Sequence, residues 1–105
     1  MKNSILLALT AVLSSFSLCA ADVATGKALF AQKCKSCHGA EGQGNPAIAK
    51  MMKVALHPLG GKEVAAKSDD DIKKLIMDGK GKMKPVAGVS EVQASDIVAF
   101  VRTLK

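Results

Sequence analysis

Apolar and polar positions divide this chain into one long, mainly apolar run followed by segments in which apolar residues recur three and four apart. Ile5 to Leu18 is the run. After it, Val23, Gly26, Leu29, Phe30 and Lys33 share one helical face, and Asp22 or Thr25 is placed to cap its start. Gly26 weakens that helix, which points to a close approach by another helix there. The segment 39–46 is glycine-rich and closed by Pro46, so it reads as a loop. Ala47 to Leu56 carries Ile48, Met51, Met52, Val54 and Leu56, a pattern for a short helix or a lining wall, and His57 to Gly61 ends it. Ser68 followed by Asp69, Asp70 and Asp71 predicts a capped helix with acids at its positive end, Ile72, Leu75 and Ile76 on its buried face and Gly79 as terminator. Residues 79–88 have no regular period. Ser90-Glu91-Val92-Gln93 is a capping box for a final helix to about Leu104, with Ala94, Ile97, Val101 and Leu104 in one stripe and Phe100 at its edge. No segment reads as a strand, so the expected class is all-α, with about four short helices.

The apolar run changes the domain count. Behind the positive tip Met1-Lys2-Asn3 and before the small residues Cys19-Ala20-Ala21, it has the form of a secretory signal peptide, 1–21, cleaved between Ala21 and Asp22. Acylation at Cys19 fits less well behind the bulky Leu18. An uncleaved membrane anchor is the other alternative, the run being slightly short for a span of about 20 residues. Processing leaves one small domain, 22–105. A chain of that size is marginal without a metal, disulfides or a large apolar ligand. Lys and Arg number 15 against 9 Asp and Glu, a net charge of +6. Such a balance suits an acidic protein, an acidic membrane or nucleic acid. Export and the lack of any recognition motif or stacking aromatic exclude nucleic acid.

The chemistry lies in Cys34-Lys35-Ser36-Cys37-His38. Two thiols one helical turn apart face the same side and can each add to a vinyl group of one porphyrin, and the next residue, His38, is then held against the ring to ligate iron. A Cys34–Cys37 disulfide would leave His38 without a role. A thioredoxin-like pair needs a preceding strand, and zinc would need His57 as a fourth ligand beside Cys34, Cys37 and His38. Covalent haem c, one per chain, is the expected cofactor. Its macrocycle supplies the core that a domain with only Phe30 and Phe100 as aromatics lacks.

The other face of the iron has five candidate ligands: Met51, Met52, Met77, Met83 and His57. Met77 lies off the apolar face of its helix, Met51 and Met52 read as packing, and His57 as a surface residue. Met83 alone sits on an irregular loop, flanked by glycines that permit close approach to a ring and by a proline. It is the expected sixth ligand.

With these residues in hand the mature chain resembles the small soluble bacterial monohaem cytochromes c of class I. The resemblance rests on the Gly26/Phe30 helix, the Cys34 to His38 motif, Gly39, Pro46, the Gly79-Lys80-Gly81-Lys82-Met83 loop and the helix of Ile97, Phe100 and Leu104. It implies that the first and last helices cross near Gly26 and Phe100, and that the Pro46 carbonyl accepts a hydrogen bond from His38. Two departures stand out. Lys84 separates Met83 from Pro85, where the family usually has proline directly after methionine, and makes Lys82 and Lys84 candidates to displace Met83 at alkaline pH. No Trp or Tyr is present to hold the haem propionates, leaving backbone amides, Lys62, Lys67 or His57.

The expected function is periplasmic one-electron transfer with His38/Met83 ligation, not an enzymatic reaction, by a monomer that meets acidic redox partners, a reductase and an oxidase or other acceptor. Lys33, Lys35, Lys80, Lys82 and Lys84 flank both ligand segments and would steer that docking. Two alternatives remain: a haem protein that binds or reduces a small ligand, with His57 as its distal group, and an electron-transfer subunit of a larger enzyme, docked through Ile48, Met51 and Met52.

Overall fold

The computed structural model describes residues 21–105, so the apolar run from Ile5 to Leu18, expected to be a signal peptide, lies outside the described residues. Six helices follow one another: α1 (Val23–Lys33), α2 (Lys35–His38), α3 (Pro46–Met52), α4 (Lys62–Ala65), α5 (Asp69–Asp78) and α6 (Glu91–Val101). Four correspond to the periodic segments; α2 and α4 are single turns. Among the described residues there is no strand, only an isolated bridge between Lys80 and Met83. No helix there is long and apolar enough to cross a membrane.

Local chemistry sets the boundaries. Asp22, not Thr25, caps α1: its carboxylate accepts from the amides of Ala24 and Thr25, while the Thr25 hydroxyl donates to its second oxygen at 2.8 Å. Ser68 accepts from the Asp71 amide, and Ser90 and Gln93 close the capping box reciprocally. The last helix stops at Val101 rather than Leu104. There the Thr103 hydroxyl donates to the Phe100 carbonyl at 2.6 Å and the chain tightens into turns. Asn45 caps α3 and Pro46 occupies its first turn, where a missing N–H costs nothing.

The core lies where α1 crosses α6. Gly26 is pressed against the backbone of Asp96 and Ile97, so closely that a Cβ would collide with the Asp96 carbonyl. One turn further, Phe30 packs on Phe100 with ring centroids 5.1 Å apart and planes tilted by 58°. The crossing expected near Gly26 and Phe100 thus has its tightest point at Gly26 with Asp96–Ile97, and Phe100 is buried rather than at the edge. Ile72 and Ile76 of α5 close the same core with Ala94, Ile97, Val98 and Val101. Arg102, just past α6, fixes the α4–α5 connection: its guanidinium donates to the carbonyls of Val64 and Lys67 and to Asp69 Oδ1 at 2.9 Å. Three acceptors for one planar fork give that link more definition than a lone surface ion pair.

Candidate haem site

The crossing helices hold up a short turn that carries the reactive residues. Cys34 ends α1 and begins α2, with the His38 amide donating to its carbonyl at 2.9 Å. The glycine-rich loop then folds back onto the end of this turn. Gly44 N donates to the His38 carbonyl at 2.6 Å, Asn45 N to that of Cys37 at 2.9 Å, and Asn45 Nδ2 to that of Ser36 at 3.2 Å. Carbonyls that a one-turn helix leaves without partners are satisfied. The loop therefore fixes the backbone of the motif, a role beyond making room for a ring.

Cys34 and Cys37 are both free thiols, so no disulfide joins them. Burial and the neighbouring Cys37 push the Cys34 thiol up to about 11, so it stays protonated. Burial also holds the His38 imidazole below its ordinary range, favouring the neutral form that ligates metal. His38 Nδ1 is buried with no hydrogen-bond partner among the described residues. The bond from the Pro46 carbonyl that the resemblance implied is thus not made in this structure. Pro46 opens α3, whose Asn45 and Pro46 carbonyls run into the helix ladder.

Two connected compartments open beside the turn. The outer, about 480 Å³, is walled by Ile48, Met52, Val54, Leu56 and Val86, with Lys33, Lys82 and Lys84 also lining it. The inner, about 90 Å³, is bounded by Phe30, Leu59, Val64, Ile72, Ile76 and Ile97. Cys34, His38 and Met83 line both. The volume and apolar lining suit a flat macrocycle, Cys34 and Cys37 both line the outer compartment, where they would hold it, and the two ligand-type side chains front the same space. The residues present therefore fit a covalent haem. The wall is built by a device that spacing alone did not reveal. Lys53 takes the left-handed conformation, φ 55, ending α3, and the extended chain beyond it turns Val54 and Leu56 inward while Lys53, Ala55 and His57 face solvent.

Met83 reaches the cleft from a tight turn. Lys80 N donates to the Met83 carbonyl at 2.8 Å and Met83 N to that of Lys80 at 3.0 Å. Gly79, with φ 73, lies so close that a Cβ would stand 2.5 Å from the Met83 carbonyl oxygen and 2.7 Å from Pro85 N. Pro85 thus packs on Gly79 from its position two beyond the methionine, which accommodates the inserted Lys84. Of the rival ligands, Met52 lines the outer compartment only, Met77 packs against the core, and Met51 is 70% exposed. His57 is exposed, with Nδ1 3.9 Å from Glu63 Oε1, and lines neither compartment. No zinc-like cluster of three His, Cys, Asp or Glu exists among the described residues. Of the cations considered for propionates, Lys67 lines the inner compartment and Lys62 neither.

Comparison with known proteins agrees with this geometry. The cytochrome c family model matches residues 23–105. Cytochrome c-554(547) of Halothiobacillus neapolitanus is 35% identical over 91 residues, covering 82% of this chain and all of that protein. Among solved structures, the KustC0563 c-type cytochrome superposes with a TM-score of 0.66 at 26% identity, over 76% of this chain and 96% of its own. With the family model spanning every helix and the helical fold shared with a solved c-type cytochrome, the chain belongs to the cytochrome c family, as a small class I member that carries covalent haem c.

Proposed function

We propose that the protein is a diffusible one-electron carrier of a periplasmic respiratory chain, exported with cleavage after Ala21, in which His38 and Met83 are the axial ligands. One observation carries the ligand assignment: His38 and Met83 line both compartments of a single apolar cleft, and Met83 is the only methionine that does. The bound haem supplies a one-electron couple, and thioether ligation raises its potential while closing the iron to outside ligands. The chain's own part is to hold the neutral imidazole by burial, to aim the thioether through the Lys80–Met83 turn, and to keep water from the inner compartment.

Absorption spectra of the oxidised and reduced holoprotein test the ligand. Wild type is expected to show the red charge-transfer band of thioether-bound iron; Met83→Ala is expected to abolish it, to lower the potential, and to let the reduced protein bind carbon monoxide. Retention of the band in Met83→Ala would transfer the role to Met52.

Lys33, Lys82 and Lys84 line the cleft, and Lys35 and Lys80 are exposed on the adjoining segments. They form a positive rim on the cleft, suited to transient docking on acidic partners. The rate of electron exchange with an acidic partner protein is expected to fall as salt is raised from about 0.01 to 0.15 M, where the screening length contracts from about 30 to 8 Å. A rate independent of salt would remove the rim from the docking step. Only Met51 of the proposed subunit-docking patch is exposed, Ile48 and Met52 being turned toward the cleft. The free carrier is the better-supported form.

A further inference from the structure

Asp96 is unexplained by the haem site. It is the only buried polar or charged side chain among the described residues, 7% exposed, on a helix face otherwise made of Ala94, Ile97, Val98, Phe100 and Val101. A carboxylate in such a place is costly unless a charge or strong donors meet it. Its partner is the backbone nitrogen of Asp22, which donates to Asp96 Oδ1 at 2.8 Å. That nitrogen belongs to the bond between Ala21 and Asp22, where the small residues mark the cleavage site.

We propose that cleavage between Ala21 and Asp22 converts this hydrogen bond into a part-buried ion pair, so that the new N-terminus becomes a clamp between α1 and α6 that the unprocessed chain lacks. The inference rests on the processing part of the proposed function and not on the identity of the iron ligands. In the covalent step a signal peptidase uses one water molecule. The Ala21–Asp22 C–N bond breaks, hydroxyl goes to the Ala21 carbonyl carbon and hydrogen to the Asp22 nitrogen, and the freed amine takes a proton from solvent. The nitrogen keeps its position and gains a full charge and further donors.

The surroundings suit that charge. An ammonium at the N-cap of a helix meets the positive end of the dipole and is unfavourable alone. Here two carboxylates oppose it: Asp96 from α6 and the side chain of Asp22 itself, already turned toward the first turn of α1. The hydrogen bonds from the Thr25 hydroxyl and from the amides of Thr25 and Ala24 hold the Asp22 carboxyl below the usual carboxylate range, so it is ionised at neutral pH. From α5, Asp69, Asp70 and Lys73 line the groove of about 130 Å³ that Ala21 also lines, giving two further acids and one base nearby. The close packing of Gly26 on the Asp96 carbonyl holds the two helices in the register the pair requires.

The experiment uses exported holoprotein. Its intact mass gives the first residue, and pH-dependent labelling of the α-amine gives that group's pKa. A chain starting at Asp22 is expected, with the amine titrating roughly one unit or more above the ordinary range of about 7.7–8.0. Asp96→Asn, which keeps the acceptor oxygen, should return it to that range. A folded-state pKa raised in this way stabilises the protein fully below the unfolded amine's pKa and is lost as pH climbs through the folded value. The wild-type advantage over Asp96→Asn in urea midpoint should therefore be present at pH 7 and gone by about pH 10. A chain with one extra residue before Asp22 should lose less from Asp96→Asn than the mature chain does. A different first residue would overturn the processing reading and the clamp with it. An Asp22 start with an ordinary amine, unmoved by Asp96→Asn, would overturn the clamp alone.

Discussion

Gly26→Ala is expected to destabilise the holoprotein by more than about 3 kcal/mol, enough to prevent its accumulation or to move its urea midpoint sharply down. In an exposed helix the same change would stabilise by about 1 kcal/mol, because alanine is the better helix former. The opposite sign is expected here because the added methyl meets backbone, the Asp96 carbonyl and the Ile97 amide, neither of which can rotate aside. Helix α1 must either back away from α6, opening the Phe30–Phe100 contact, or slide along it and break the Asp22–Asp96 bond. Denaturant unfolding followed through haem absorption measures the loss. A midpoint equal to or above wild type would mean that the two helices do not cross at Gly26.

Removing both thiols, by Cys34→Ala with Cys37→Ala, is expected to have a still wider effect. Haem should then be extractable by acidified organic solvent, whereas in the wild type it stays with the chain. Once it is lost, the inner compartment alone, about 90 Å³ of apolar space, represents roughly 2 kcal/mol at about 24 cal/mol per Å³. The larger cost is the outer wall. Ile48, Met52, Val54, Leu56 and Val86 face a space that only the macrocycle spans, and without it they front water. A domain of this size has about 5–15 kcal/mol in hand at most, so the doubly substituted chain should lose much of its helical circular dichroism once haem is removed. Retention of covalent haem by that chain would contradict thioether attachment outright.

These effects fall on residues of unequal visibility in the sequence. Gly26 was legible because a glycine inside a helical pattern needs a reason, and the thiols because their spacing matches one cofactor. Caps were equally plain where a short polar side chain precedes a periodic run: Ser68, Ser90 with Gln93, and Asp22 all act as their chemistry suggests. What stayed hidden depends on long-range geometry. Helix α4 is a single turn whose Val64 carbonyl is held by Arg102, 38 residues away, and nothing local in Lys62 to Ala65 announces it. Lys53 adopts a conformation usual for glycine, so the division of residues 47–56 into helix and wall could not be read from residue type. Asp96 gives no local sign of its burial, because its partner, a backbone nitrogen 74 positions earlier, leaves no mark on composition. The Pro46 contact, implied by resemblance, had no residue-level signal of its own, and in this structure His38 Nδ1 has no hydrogen-bond partner among the described residues.

The α1–α6 crossing also orders events in time. Its two halves lie at opposite ends of the described chain, so the surface that receives Gly26 and Phe30 is delivered only after every intervening segment has emerged. Contacts so distant in sequence cannot close until both ends of the chain are available to be brought together. Throughout that interval the Cys34 to His38 turn has no packed helix above it, and both thiols stand open to reaction. A crossing that seals the finished protein therefore leaves the emerging one accessible to attachment until its last helix is delivered.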